Sequence, residues 1–133
     1  MDHNARPGGS GRQDEYEVLK RAAKFLDEGT FGEAEQLLTT LTDSRNYREE
    51  AQALLGSLLF KTDRLDEAIA CFMNLSVTDP SSESYSLGLF HSLWRAERSE
   101  EAFAEMRRFR ADYESMEYRR LIRNFKAEGY EIP

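Results

Sequence analysis

Apolar residues recur at helical spacing through most of this chain, with polar and charged residues between them. Val18, Leu19, Ala22, Phe25 and Leu26 predict a helix over residues 14–27. Gly29 is a suitable stop, because glycine takes a positive φ without steric cost. Thr30 and Glu33 have the spacing of a capping box for a second helix carrying Ala34, Leu37, Leu38 and Leu41. Thr42, Asp43 and Ser44 then break the pattern. A third helix over 47–61 buries Ala51, Leu54, Leu55, Leu58 and Leu59, and Thr62-Asp63 is a turn. A fourth over 65–77 carries Leu65, Ala68, Ile69, Phe72 and Leu75, and Pro80 closes it. The fifth, over 82–95, turns Tyr85, Leu89, Phe90 and Leu93 inward; the sixth, over 99–111, does the same with Ala102, Phe103, Met106 and Phe109. A seventh over 116–128 has the stripe Tyr118, Leu121, Ile122 and Phe125 opposite Arg119, Arg120, Arg123 and Lys126, and Gly129 ends it. No strand-like alternation of useful length appears, so the expected class is all-α.

The helices come in pairs, and the pairs repeat. Glu33-Ala34, Glu67-Ala68 and Glu101-Ala102 hold equivalent places at 34-residue steps. A period of this length with helix-turn-helix texture is the mark of a stacked repeat array. The expected layout is a tail over 1–13 and one domain over 14–129. That domain holds repeats of about 15–48, 49–82 and 83–116 and a capping helix of about 116–128. A hairpin cannot bury its apolar face alone, so neighbours must stack, and the last one needs a cover with one apolar face. The tail, rich in Gly, polar and charged residues, is expected to be disordered. Its Gly8-Gly9-Ser10-Gly11 run lacks the strand before and the Lys-Ser or Lys-Thr after that a phosphate loop requires.

The pattern resembles the tetratricopeptide repeat. The central copy has Leu55-Gly56, Leu59, Leu65, Ala68, Phe72 and Pro80 where the family has Leu-Gly, Tyr, Tyr, Ala, Phe and Pro; Gln52 stands at the usual Trp. The first copy keeps Ala22, Phe25, Phe31, Ala34, Leu38 and Leu41 with Asn46 for Pro. The third keeps Leu89, Leu93, Ala102, Met106 and Phe109, but has Phe90 for Gly and Glu114 for Pro. A bulky Phe90 bears on how closely that hairpin's helices cross. The resemblance implies an α-α superhelix, a right-handed solenoid of three hairpins plus the cap. It also implies a concave groove lined by the first helix of each repeat. The lining places carried over are Leu19, Leu26, Phe60, Leu87 and Trp94, edged by Lys61, His91 and Arg95. Apolar and aromatic anchors with a polar rim suit a bound helix or extended peptide. The alternative is that Trp94 and Phe60 pack internally against the C-terminal helix. Leu19, Ala23, Ala53, Ser84 and Leu87 stand where a co-chaperone's carboxylate clamp would have Lys, Asn and Arg, which disfavours that function.

Charge and chemistry narrow the classes further. The chain has 133 residues and a net charge of −7, which argues against nucleic acid or an anionic membrane and favours basic partners. From Arg95 to Glu128, nine Lys/Arg stand against eight Asp/Glu, so the arginines there form no basic stripe. Cys71 is the only cysteine, which fits a reducing, cytoplasmic setting; no signal peptide or membrane span is expected. His3 and His91 are too few and too scattered for a metal site, and Cys71 and His91 fall on different surfaces for catalysis. The reading is therefore a non-enzymatic module without cofactor, a small adaptor or chaperone binding a protein or peptide, as monomer or weak homodimer. The size, acidity and layout also look like the small repeat chaperones of bacterial secretion systems, without their N-terminal dimerisation helix. A self-associating scaffold, or an inhibitor of a partner toxin or enzyme, is the alternative.

Overall fold

The computed structural model describes residues 8–132. Among them are seven helices and no strand: α1 (Gly8–Asp27), α2 (Phe31–Thr39), α3 (Arg48–Lys61), α4 (Leu65–Thr78), α5 (Glu83–Arg95), α6 (Ser99–Asp112) and α7 (Met116–Ala127). The chain is all-α, as the periodicity predicts. Helices α3 to α7 start and stop within a residue of their expected ends. The clear departure is α1, which runs six residues further toward the N-terminus than expected. Arg12 and Gln13 lose little rotamer freedom in a helix, and extending a formed helix is far easier than nucleating one. The rest of the expected tail, residues 1–7, lies outside the described residues.

The contacts fall into two compact units, Met1–Thr62 and Asp63–Pro133. The first is built from α1, α2 and α3. Its core is Ala22, Leu26, Ala34, Leu38, Leu41, Ala51 and Leu58, with Val18, Leu19, Phe25 and Phe31 among the residues packed on it. Ala22 and Ala34 have no exposed surface, which is how two helix backbones of a hairpin come close. Glu15 ties the start of α1 to the loop before α3: its Oε1 accepts from Ser44 Oγ at 3.0 Å and from Asn46 Nδ2 at 3.1 Å. The rings of Tyr16 and Tyr47 lie 5.9 Å apart beside it.

The second unit is built from α4 to α7. Its core holds Ala68, Ile69, Phe72, Leu75, Leu89, Phe90, Leu93, Ala102, Phe103, Met106, Phe109, Tyr118 and Phe125. Close approach of α4 and α5 depends on Gly88. A Cβ there would stand 2.5–2.7 Å from three atoms of the buried Phe72 ring. Gly88→Ala is therefore expected to cost about 1–3 kcal/mol by overpacking, although alanine is the better helix former. A chemical-denaturation midpoint that does not fall would show that Phe72 moves aside freely.

The 34-residue period is written into the backbone. Gly29, Asp63 and Glu97, at 34-residue steps, all have positive φ, of 79°, 65° and 63°. Each follows the first helix of a repeat, and at Gly29 and Glu97 the chain reverses within its own unit. At Gly29 the turn is a Schellman motif: Thr30 N–H donates to Phe25 O at 2.9 Å and Gly29 N–H to Leu26 O at 3.1 Å. Glu97 and Arg98 repeat it on Trp94 O and Leu93 O, and Gly129 and Tyr130 close α7 the same way on Lys126 O and Phe125 O.

The expected capping box at Thr30 does not form. Thr30 sits at the N-cap of α2, yet its side chain makes no capping hydrogen bond. Its ψ of 72° falls short of the extended backbone in which a cap hydroxyl reaches the first turn, because Thr30 N–H is held by the preceding Schellman motif. The equivalent places in the next two repeats use another device. Arg64 grips Glu67 through two 3.0 Å hydrogen bonds, and Arg98 grips Glu101 through two of 2.7 Å. These hydrogen bonds hold both carboxyls below the usual carboxylate range.

Candidate interaction site

The eight residues carried over as groove lining divide evenly between the units. In the first, Leu26 is only 6% exposed and belongs to the core. The expectation that it lines a surface is corrected: it packs among Ala22, Ala34 and Leu38, on the face of α1 turned to α2. Leu19 and Phe60 are half-buried and Lys61 is exposed. In the second unit all four lie on α5. Leu87 and Trp94 are half-buried; His91 and Arg95 are exposed at their outer edges. Arg95 Nε lies 3.4 Å from Asp63 Oδ1. Burial of part of the His91 ring lowers its imidazole below the usual range, and Glu117 opposes this.

Trp94 joins a cluster of rings. Its centroid lies 4.8 Å from Phe125, 5.5 Å from Tyr130, 5.6 Å from Phe103 and 6.2 Å from Phe90. Phe90 is the hub, 1% exposed, with Tyr118 at 5.7 Å, Phe125 at 6.1 Å and Phe103 at 6.3 Å. Most of these pairs are tilted or edge-on, the arrangement that ring quadrupoles favour. Helix α7 thus covers the third hairpin through Tyr118 and Phe125.

A buried polar chain fixes that cover. Ser86 Oγ donates to Glu105 Oε2 at 2.7 Å. Its single proton is then used, so the Tyr118 hydroxyl, also 2.7 Å away, is the donor to Ser86 Oγ. Glu105 in turn accepts from Arg108 at 2.6 and 3.0 Å, and Arg108 reaches the carbonyl of Pro80 at 3.2 Å. Glu105 is a buried carboxylate made tolerable by this set of donors. Ser115 caps α7, accepting from Tyr118 N–H at 3.0 Å and donating to Glu83 Oε2 at 2.6 Å. Burial pushes the Tyr118 phenol well above its usual range.

On another face of the second unit lies a feature the apolar periodicity did not bring out. A cavity of about 640 Å³ opens between α4 and α6 with α5 as its floor. Met73, Val77 and Pro80 form one wall, Leu89 and Leu93 the floor and Ala104 part of the other wall. Met73 is 45% exposed and Val77 77%. Ser76 also lines it; its Oγ is buried without a hydrogen-bond partner. Met73 and Val77 lie four apart on α4, outside the stripe that fills the core, and that pair was the available signal. Among the described residues, no group of three or more His, Cys, Asp or Glu side chains could hold a metal ion, and no helix is long and apolar enough to cross a membrane.

Helices followed by positive-φ residues at a 34-residue step define an α-helical repeat protein. Residues 25–89 match the family model of the tetratricopeptide repeat, and the match supports a tetratricopeptide repeat protein. The matched stretch runs from Phe25 to Leu89 and so takes in the whole central copy. No curated protein and no solved structure matches the chain. Such repeats generally mediate contacts between proteins, typically as non-catalytic modules.

Proposed function

We propose that this chain is a non-enzymatic interaction module that holds a segment of a partner protein. The tetratricopeptide repeat match carries the reading, because a repeat of this kind supplies a surface rather than a reaction centre. The net charge of −7 favours a partner segment with basic residues. A single cysteine, Cys71, is consistent with work in a reducing compartment such as the cytoplasm. An adaptor or chaperone role fits the small size.

The residues assigned to partner contact are Leu87, His91, Trp94 and Arg95 on α5, with Leu19, Phe60 and Lys61 in the first unit. Trp94 is a poor residue to mutate first, since four rings pack on it and its loss would disturb the fold. Leu87 is the better probe. Leu87→Asp is expected to weaken partner capture from the native cell by at least ~2 kcal/mol, the size of an anchor contact, with the helical circular dichroism signal unchanged. Affinity capture with quantitative mass spectrometry reads this directly. A captured set identical to that of the wild type, from a folded variant, would remove α5 from the contact surface.

A further inference from the structure

The groove between α4 and α6 has three properties that together point to an occupant. Its α4 wall and its floor are lined by apolar side chains, and it is open along its length. Val77 and Met73 leave large apolar surface to water, which an isolated helix face has no reason to retain. Its α4 wall holds a buried hydroxyl, Ser76 Oγ, with no partner, and such a group costs free energy until something bonds to it. Its two ends differ in charge. At one end Glu101 lines the groove beside the first turns of α4 and α6, which carry Asp66, Glu67, Glu100 and Glu101 against Arg64 and Arg98. Carboxylates are in excess there by two. At the other end Arg108 is already engaged by Glu105 and by the carbonyl of Pro80, so that end is close to neutral.

We propose that this groove docks an amphipathic helix of a partner protein, apolar along one stripe and carrying Lys or Arg at the end that meets Glu101. A helix laid between two others seats residues at i, i+3 or i+4, and i+7, and its apolar stripe covers Met73 and Val77. A short polar side chain midway along the stripe bonds Ser76 Oγ. The cation at one end fixes direction, because reversing the helix would move it from the carboxylate excess to the near-neutral end. The proposal rests on the interaction-module reading but assigns a face that reading does not use.

The test uses the full chain and synthetic peptides. The probe is an 18-residue helical peptide with a leucine stripe, one serine at its centre and three lysines at one end. Isotope-edited NMR should show shifts confined to the groove, among them Met73, Val77, Leu93, Ala104 and, at the lysine end, Glu101. Val77→Asp, at a residue exposed enough to spare the fold, should weaken binding at least about tenfold, the loss expected of an anchor. Replacing the three lysines by glutamates should weaken it by a similar factor, and Ser76→Ala should abolish the preference for serine over alanine in the peptide. Shifts centred on Leu87 and His91, or equal affinity for a peptide with its leucines scattered round the helix, would overturn the proposal. So would concentration-dependent shifts at Val77 without peptide, which would make a second copy the occupant. The two readings fail separately. If native partner capture survives Val77→Asp and is lost in Leu87→Asp, the module stands and this groove falls; loss of neither sinks both.

Discussion

A chain ending at Tyr113 is expected to lose most of the stability of its second unit. The truncation removes Tyr118, which has no exposed surface, and Phe125, which has 8%. Burying a large apolar side chain is worth roughly 1.5–3 kcal/mol, so two of them approach the lower end of the about 5–15 kcal/mol that holds a typical domain together. The loss does not stop at the deleted residues. Phe90, Trp94 and Phe103 would face water together. Ser86 would keep Glu105 but lose the phenol, and Glu83 would lose the Ser115 hydroxyl. Aggregation or a partly melted species on size exclusion, with a urea midpoint well below the full chain's, is the expected result. A truncated monomer with an unchanged midpoint would make α7 a free arm. Tyr118→Phe keeps the ring and removes only the hydroxyl, separating the polar chain from the packing. The phenol also gives an alkaline signature. Because burial raises its folded pKa, its share of stability is present below the ordinary value near about 10 and is lost as pH rises beyond it. Tyr118→Phe should lack that part of the alkaline loss.

Much of the fold was legible because helix period and repeat period are both properties of apolar spacing. Ala34, Ala68 and Ala102 recur where close packing demands a small side chain, and all three are fully buried. The ends of α3 to α7 followed from breakers and caps. What periodicity could not supply was how side chains divide their surface. Leu26 and Leu19, seven residues apart on one stripe, look alike, yet one is core and the other half open. Trp94 on its own reads equally as an anchor or as packing. Beyond Phe90 on its own helix, its ring neighbours come from α6, α7 and the chain beyond α7, and no local pattern encodes those three. Ser86, Glu105 and Tyr118 are 19 and 32 residues from one another along their hydrogen bonds, so their network is visible only once the helices have met. Gly88 is a legible local signal, because a glycine inside a helix costs about 1 kcal/mol against alanine and marks a close approach.

Restoring the family's glycine at position 90 is expected to destabilise the second unit by about 4–6 kcal/mol. The sequence places Phe90 where the repeat has glycine, which raised the question of how the third hairpin crosses. In the fold, the small residue stands two positions earlier, at Gly88, where Phe72 packs. Phe90 is turned instead into the space among α5, α6 and α7 and touches Phe103, Tyr118 and Phe125. The third hairpin has given up the glycine in order to hold its cap. Phe90→Gly removes a ring that is 1% exposed, a change of the class that costs about 3–5 kcal/mol, and adds roughly 1 kcal/mol for glycine in a helix interior. Phe90→Leu should cost much less, because it keeps part of the volume. The measurement is equilibrium unfolding in urea followed by circular dichroism, with the two variants compared at equal slope. If Phe90→Gly unfolds at the same midpoint as the wild type, the cap is held by its polar chain alone, and the ring cluster is not the origin of the unit's stability.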